Sequence, residues 1–267
     1  MMKAISLMYH DVVELTAHET SGFAGADAAT YKIAIPLFDE HLFAIADAMP
    51  QPPVLVSQLA QSAGHTPWML TFDDGGASAI SAIADRLEAL NWRGHFFVTA
   101  GCIGKALFLN NAQIRELHKR GHIVGSHSYT HPLRMATLSG YELKYEWETS
   151  IEKLSGIVGE RVSVASIPGG QYSRKIAETA SAARITTLFT SEPITACHTV
   201  DRCQLFGRYA IRSWTNAELA AALAKGNTAP RIKQLMTWNA RKALKKLGGV
   251  NYLKVRELLL RSSENIL

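Results

Sequence analysis

The chain has 267 residues, of which 47% are hydrophobic and 19% are charged. This composition excludes a disordered chain and a membrane-spanning bundle, and the length suffices for one large domain with a substantial core. The net charge of +5 is unevenly distributed, because residues 225–261 contain ten Lys or Arg side chains and one acid. We therefore predict a main domain at residues 1–224 and a basic helical tail at residues 225–267.

Apolar and amphipathic stretches alternate along the chain. Apolar runs typical of buried strands lie at residues 5–8, 68–72, 95–98, 123–126, 164–167, 186–189 and 205–211. Amphipathic stretches that predict helices lie at residues 77–90, 111–120, 140–158, 215–224 and 231–247, and residues 14–34 and 50–67 are interpreted as irregular insertions. Strands separated by helices of this length predict parallel units in an α/β fold, and their number favours a (β/α) barrel over an open sheet.

Two acidic residues follow the strand predicted at residues 68–72. Asp73 and Asp74 stand in the sequence Thr-Phe-Asp-Asp-Gly. Adjacent carboxylates repel one another unless a cation or a proton relieves the repulsion. Asp-Asp-Gly is also an ordinary turn sequence, so the pair acquires meaning only beside a second motif. In a barrel, the C-terminal ends of the strands are where chemistry is expected.

The second motif follows the strand predicted at residues 123–126. Residues 126–132 read Ser-His-Ser-Tyr-Thr-His-Pro, which places His127 and His131 four residues apart. Pro132 disfavours helical backbone at His131, so the pair belongs to a strand-to-loop turn rather than to a helical zinc motif. Two imidazoles and one carboxylate suit Zn²⁺ and leave positions for water and a substrate oxygen. The sequence therefore predicts one divalent metal ion, with zinc as the best match.

Together the two motifs resemble those of the polysaccharide deacetylases of the NodB-homology type, carbohydrate esterase family 4. The resemblance covers residues 3–223 and includes a leading Leu-Met-Tyr-His-Asp-Val segment common in members from glycan-biosynthesis clusters. It implies a distorted (β/α) barrel that removes N-acetyl groups from a sugar in a polysaccharide, O-antigen or exopolysaccharide intermediate. It implies that Asp73 is the catalytic base. The implied metal ligands are Asp74, His127 and His131.

The third motif of the family is altered in this chain. Its usual form is Arg-x-Pro-aromatic-Gly, whereas residues 166–172 read Ser-Ile-Pro-Gly-Gly-Gln-Tyr. The Arg that steadies the base in the family is Ser166 here, and the aromatic residue is a glycine. The backbone N–H of Gly169 can still stabilise the oxyanion, and Tyr172 is a candidate for substrate binding.

The general acid of the family is missing. Its Leu-x-His motif has no counterpart between residues 190 and 224, and the equivalent stretch at residues 206–211 contains Arg208 instead. Arginine stays protonated and is a poor acid, but Arg208 can bind a carboxylate or phosphate of a glycan. His10, at the end of the first strand, is the candidate replacement acid. The alternative is that His10 is a hydrogen-bonded structural residue at the barrel mouth.

Three functions remain open at this point. Intact Asp73, Asp74, His127 and His131 favour a metal-dependent N-deacetylase. The absent acid histidine and the missing loop arginine favour a catalytically silent relative that binds metal and glycan. The open Gly169-Gly170 loop, without an aromatic to stack on a sugar, keeps hydrolysis of a non-sugar cyclic amide in consideration.

The basic tail suggests a partner of its own. On a helical wheel its apolar residues form one stripe and its basic residues lie largely on the other side, as in a helix at an anionic membrane surface. A helix packed on its own barrel shows the same pattern. The tail has few aromatics for stacking on bases, so nucleic acid ranks lower as a partner. The apolar stripe consists of Ile232, Leu235, Met236, Ala243 and Leu247.

The N-terminal residues lack the apolar region of a secretory signal, so we expect a cytoplasmic protein, in peripheral contact with the inner face of the membrane.

Overall fold

The computed structural model describes residues 2–15, 17, 19–62, 64–170 and 172–247. The strands of this part are β1 (Ile5–Tyr9), β2 (Val12–Val13), β3 (Ile33–Ala34), β4 (Trp68–Phe72), β5 (His95–Val98), β6 (Ile123–Ser126), β7 (Val164–Ser166), β8 (Thr187–Phe189), β9 (His198–Val200), β10 (Cys203–Phe206) and β11 (Tyr209–Ala210). The helices are α1 (Ala26–Ala29), α2 (Ile35–Ala48), α3 (Asp85–Ala89), α4 (Asn111–Lys119), α5 (Gly140–Val158), α6 (Arg174–Ala182), α7 (Ala217–Ala224) and α8 (Thr228–Leu247).

Nine of the strands form one curled sheet. Their order is β11-β1-β4-β5-β6-β7-β8-β10-β9, and every described pairing is parallel except that of β9 with β10. Strands β2 and β3 pair separately. The predicted distorted (β/α) barrel is therefore confirmed. Because neighbouring strands are parallel, their C-terminal ends meet at one edge, which brings the two predicted motifs together.

Strands β1, β4, β5, β7 and β8 are buried on both faces, as expected of a parallel sheet covered by helices. Side chains alternate between the faces of a strand, so Met69, Thr71 and Asp73 follow one another on one face of β4 and its C-terminal extension. Met69 belongs to a cluster of buried side chains that includes Phe97 of β5 and Phe189 of β8. The periodicity of β4 thus directs Asp73 toward this inner cluster.

The helix α5 forms where its sequence predicts it. The Ser139 hydroxyl accepts a hydrogen bond from the backbone N–H of Glu142, whose carboxylate accepts one from the Ser139 N–H, so a capping box fixes the first turn. Gly159 ends the helix in the left-handed conformation at φ 86°. The buried stripe of α5 includes one acid, Glu146, which lies opposite the loop that follows β6.

Two helices, α2 and α6, are absent from the predicted elements. The buried stripe of α2 contains a histidine, His41, which weakens its apolar period. The buried face of α6 is small, with Ala177 and Ala180 beside Ile176, and alanine gives little contrast with a polar face. The insertion at residues 14–34 also contains regular structure, because it includes α1 and β3.

The first part of the basic tail packs on the barrel. The Gln234 carboxamide accepts a hydrogen bond from the Ala210 N–H at 3.1 Å and donates one to the Ala210 carbonyl at 2.9 Å, so α8 covers the edge strand β11. Ile232 and Met236, which belong to the predicted apolar stripe, are exposed on α8. The side chains of Ala243 and Leu247 and all of residues 248–267 lie outside the described residues, so the domain division stays a prediction.

None of the described helices is both long and apolar enough to span a bilayer.

Candidate metal and catalytic site

The three predicted metal ligands lie together at the C-terminal edge of the sheet. One ligand atom each from Asp74, His127 and His131 falls within 4.8 Å of the other two. The Asp74 Oδ1 atom is 3.4 Å from His127 Nε2 and 3.5 Å from His131 Nε2. The structure therefore brings both motifs into one cluster, although they are separated by more than 50 residues of chain.

The chemistry of this cluster fits a divalent cation. Asp74 Oδ1 is buried and has no hydrogen-bond partner, even though it faces two imidazole nitrogens. A buried carboxylate oxygen without a hydrogen bond is costly, and a cation among the three ligand atoms would satisfy it. One carboxylate and two imidazoles form a donor set found in catalytic zinc sites. The identity of the metal stays a prediction.

The backbone of the cluster is held in an uncommon conformation. Asp74, Ser128 and His131 have φ values of 76°, 61° and 58°. Residues other than glycine rarely adopt positive φ, and such strain persists only where the surroundings enforce it. The Ser128 hydroxyl accepts a hydrogen bond from the His131 N–H at 3.1 Å, which helps to enforce this turn.

The acid in α5 holds the loop between the two histidines. Glu146 Oε2 accepts hydrogen bonds from the backbone N–H groups of Tyr129 and Thr130, both at 2.8 Å, and its Oε1 accepts one from the Thr130 hydroxyl at 2.6 Å. Sequence reasoning missed this residue. The available signal was an acid in the buried stripe of α5, because a buried carboxylate must find hydrogen-bond donors.

His127 is set up to act as a neutral ligand. Its Nδ1 is 2.5 Å from the Ser166 hydroxyl oxygen, and that hydroxyl donates to Asp73 Oδ1 at 3.1 Å. This chain assigns the proton of the imidazole to Nδ1 and leaves Nε2 free to face Asp74. Burial lowers the pKa of His127 to about 4, against the opposing effect of the Asp73 charge. The ring is therefore neutral at pH 7.

Asp73 is paired with Arg208. The guanidinium donates from Nη1 to Oδ1 at 2.7 Å and from Nη2 to Oδ2 at 2.8 Å, and both side chains are buried. Burial raises the pKa of Asp73, but the charge of Arg208, followed by that of His127, lowers it below the usual value overall. The carboxylate is ionised at neutral pH.

The geometry corrects the prediction that Arg208 binds the glycan. Its side chain is fully buried, and its donors are directed to Asp73, to the Thr190 carbonyl at 2.9 Å and to the Thr71 hydroxyl at 3.3 Å. A guanidinium with these partners is not available to a substrate. Arg208 instead steadies Asp73, which is the role that the loop arginine lost at Ser166 has in the resemblance.

Asp74 and His131 shift the pKa of one another. Burial lowers the pKa of His131, but the Asp74 carboxylate raises it above its ordinary value overall. Burial raises the pKa of Asp74, but His131, His10 and His127 bring it well below the usual range. Without a cation, a proton on His131 compensates part of the negative charge of Asp74.

His10 lies on the same side of the barrel. It lines a small cavity together with Asp73 and Gly75. Its ring packs on Tyr31 with centroids 4.5 Å apart, and its Nδ1 is buried without a hydrogen-bond partner. This nitrogen does not fit the alternative of a hydrogen-bonded structural histidine. The acid role of His10 stays a prediction.

Gly169 and Tyr172 lie in the loop after β7. Gly169 has φ 66°, and a Cβ at this position would come within 2.8 Å of the Leu133 carbonyl oxygen, so only glycine lets this loop approach the loop after His131. Tyr172 is half-buried and packs edge-on against His198, with centroids 6.0 Å apart. The substrate roles of both residues stay predictions.

The upper wall of the site comes from the insertion at residues 14–34 and from the turn after β11. The Phe23 ring packs on His131 with centroids 4.7 Å apart, and Tyr31 packs on His10. We call Phe23, Tyr31, Arg212 and Trp214 the rim. We call Asp73, Asp74, His127, Ser166 and Arg208 the floor.

The sequence model of the polysaccharide deacetylase family matches residues 60–188 of this chain. This segment contains Asp73, Asp74, His127 and His131, and it extends from the start of β4 to β8. It ends before Arg208.

Two relatives and one solved structure are similar to this chain. An uncharacterised protein of Geobacillus stearothermophilus is 33% identical over 108 residues, which are 40% of this chain and 39% of that protein. A chitin deacetylase of Arthroderma benhamiae is 29% identical over 111 residues, which are 41% of this chain and 29% of that protein. The matches thus span well under half of either relative. The deacetylase PplD of Streptococcus pyogenes, solved with acetate, has the same fold, with a TM-score of 0.68 at 19% identity over 81% of this chain and 96% of that chain.

Proposed function

Because the chain carries a polysaccharide deacetylase domain, we propose that it is a metal-dependent hydrolase that removes N-acetyl groups from a sugar in a polysaccharide, O-antigen or exopolysaccharide intermediate. One observation carries this proposal. The buried Asp74 Oδ1 atom faces two imidazole nitrogens without a hydrogen bond, directly beside an ionised carboxylate that Arg208 holds in place. A chitin deacetylase among the relatives supports an N-acetylated glycan as the substrate class.

Asp73 is the proposed base. A carboxylate offers about four lone-pair directions, and Arg208 and Ser166 occupy three of them. The remaining direction belongs to Oδ2, which lies 3.9 Å from His127 Nε2 and hence on the side of the ligand cluster. Asp73 can therefore take a proton from a water on that side while its orientation is kept by Arg208.

The other groups act around the acetyl carbonyl. Asp74, His127 and His131 would hold a divalent cation, which would supply Lewis acidity and make water more acidic at this position. The Gly169 N–H donates to the oxyanion as the carbonyl carbon becomes tetrahedral. His10 gives a proton to the leaving amine, since it lies close enough to Asp73 and Asp74 to lower the pKa of both carboxyl groups.

The pairing of Arg208 with Asp73 bears on the alternative of a silent relative. That alternative rested partly on the missing loop arginine, and Arg208 supplies an equivalent guanidinium from the link between β10 and β11. The pairing therefore removes the missing loop arginine as an argument for a silent relative.

A turnover assay with elemental analysis tests the proposal. Wild-type protein loaded with zinc should release acetate from N-acetylated chito-oligosaccharides and contain one metal per chain. His127→Ala should lose most of both, because three protein ligands are the minimum for a catalytic zinc site. His118→Ala, which removes a histidine of α4 that only approaches Glu160 at 3.6 Å, is the matched control. Unchanged metal content in His127→Ala would contradict the ligand assignment.

We also propose that the protein works in the cytoplasm, in peripheral contact with an anionic membrane surface through its basic tail. The exposed Ile232 and Met236 of α8, beside the exposed Lys233, support this contact. The double variant Ile232→Ser, Met236→Ser leaves the Gln234 contact with β11 intact and should bind anionic vesicles at least threefold more weakly than wild type. Neutral vesicles serve as the control. Equal sedimentation of both proteins with anionic vesicles would contradict this role of α8.

A further inference from the structure

The rim contains an arginine whose charge has no counterion among the described residues. The Arg212 guanidinium lies 5.6 Å from the centre of the Tyr31 ring and 5.4 Å from that of Trp214. Within the part of the chain that the structure describes, these two rings are its partners, and no carboxylate lies within salt-bridge distance. Arg208, four residues earlier, is fully buried and paired with Asp73. Arg208 thus pairs with Asp73, whereas Arg212 has no carboxylate partner among the described residues and is available to a ligand.

The turn that carries Arg212 is rigid. The Arg212 N–H donates to the Thr215 hydroxyl at 3.0 Å, and the Thr215 N–H donates back to the Arg212 carbonyl at 2.8 Å. The Ser213 N–H donates to the Thr30 carbonyl at 3.0 Å, which ties the turn to the insertion that carries Tyr31. These bonds hold the backbone from which the Arg212 side chain extends toward Tyr31 and Trp214, which lowers the entropic cost of binding.

The cluster is continuous with the reaction site. Tyr31 contacts both the Arg212 guanidinium and the His10 ring, and His10 lies close enough to Asp73 and Asp74 to lower the pKa of both carboxyl groups. The Nδ1 atom of His10 is buried without a hydrogen bond. A polar group of a ligand next to His10 would supply that hydrogen bond. A sugar next to the one that carries the acetamido group would lie over Tyr31.

The exposed groups define the chemistry of that neighbour. The Arg212 guanidinium lies near two aromatic rings, and a guanidinium forms paired hydrogen bonds with a carboxylate or a phosphate through its planar set of N–H groups. The Trp214 ring is 58% exposed and offers an apolar surface to the face of a sugar. We propose that Tyr31, Arg212 and Trp214 form a subsite for an acidic group, carboxylate or phosphate, on the substrate next to the N-acetyl group. This inference rests on the proposed deacetylase function and narrows its substrate class to acidic N-acetylated glycans.

Paired probes test the subsite. The carboxylate arm compares a hyaluronan tetrasaccharide, which alternates glucuronate with N-acetylglucosamine, with the neutral tetramer of N-acetylglucosamine. The phosphate arm compares N-acetylglucosamine 1-phosphate with N-acetylglucosamine. Wild type should show at least a tenfold higher kcat/KM for the acidic member of one arm, and that arm identifies the group. Arg212→Gln should remove this preference and change the neutral probe less than twofold.

Further variants make the result specific. Arg212→Lys keeps the charge without the fork and should recover part of the preference. Arg115→Gln removes an exposed arginine of α4 and should leave the preference unchanged. A lack of preference in wild type in both arms, or an equal loss on acidic and neutral probes in Arg212→Gln, overturns the subsite.

Binding separates this inference from the proposed function. If wild type hydrolyses none of the probes, the deacetylase proposal fails, and calorimetric binding of the same probes decides on the subsite. Binding of an acidic probe that is at least tenfold weaker in Arg212→Gln than in wild type then supports the subsite. Equal or undetectable binding by the two proteins overturns it.

Discussion

The floor of the site is built by buried residues at and just beyond strand ends, whereas the rim is built by loops and is half-buried or exposed. In the floor, hydrogen bonds join the polar side chains other than Asp74, as they join Ser166 to His127 and Asp73. In the rim, rings and a guanidinium meet without hydrogen bonds between them. In the proposed function, the reaction and the choice of substrate therefore depend on different layers of the site. Changes in the floor should affect turnover or metal, and changes in the rim should affect which glycan is accepted.

The largest expected effect comes from removing the base. Asp73→Asn keeps the shape of the carboxylate but cannot take a proton at neutral pH, so turnover should fall by about two to four orders of magnitude. Metal content should remain at the wild-type level, because Asp73 is outside the cluster of three ligands. Acetate release and elemental analysis on the same sample measure both. Loss of metal in proportion to loss of activity would make Asp73 a ligand instead.

Removing the partner of the base should have the next largest effect. In Arg208→Gln the Asp73 carboxylate remains buried without its counterion, so its pKa should rise and turnover at pH 7 should fall by about a hundredfold through loss of orientation. The acid limb of the pH–rate profile should move to higher pH. An unchanged limb would show that Arg208 does not control the ionisation of Asp73.

The same variant has a consequence for stability. The pKa of Asp73 is lowered in the folded protein, so the pair stabilises the fold above the unfolded carboxyl pKa of about 4, and this contribution is lost as the pH falls through the folded value. At pH 7, Arg208→Gln should lose about 3–5 kcal/mol of unfolding free energy. The double variant with Asp73→Asn has no buried charge in the pair and should recover part of the loss in chemical denaturation.

His10 lies where the floor meets the rim. Its replacement by alanine should lower turnover by about ten- to a hundredfold and leave metal content unchanged, because His10 is not in the ligand cluster. Acetate release and elemental analysis on the same sample measure both. Equal turnover in the two proteins would make His10 structural.

The smallest of these effects should come from the support behind the floor. Glu146→Gln keeps an oxygen for the two backbone N–H groups but replaces the oxygen that accepts from the Thr130 hydroxyl with an NH2 donor, and so loosens the loop between His127 and His131. Metal affinity should fall by about tenfold, as for groups that orient metal ligands. Competition with a chelator measures this change. Glu148→Gln, on the exposed side of α5, is the matched control.

The sequence was most informative where function depends on local order. Asp73 with Asp74, and His127 with His131, are close in the chain and follow recognisable strands, so their motifs and the edge where they meet could be predicted. Arg208 could not be assigned in this way. Its partner lies 135 residues away, and only the pairing of β11 with β1 and the inner face of β4 bring the two together.

The rim was harder to predict for a related reason. Residues 14–34 have the composition of an irregular insertion, and neither propensity nor periodicity indicates where such a loop will lie. Phe23 and Tyr31 reach the histidines through tertiary contacts alone. The same holds for α8, whose apolar pattern suggested a helix at an anionic membrane surface or one packed on the barrel, whereas Arg231 and Gln234 contact the barrel through hydrogen bonds.

The distance in sequence between the ligands and Arg208 sets an order of events at the ribosome. The last ligand, His131, is made 77 residues before Arg208, which corresponds to roughly 4–15 s of synthesis. During that interval the nascent chain has all three groups that can hold a metal but lacks the guanidinium that orients its base. In the proposed function, full orientation of the base therefore waits until the final strands join β1.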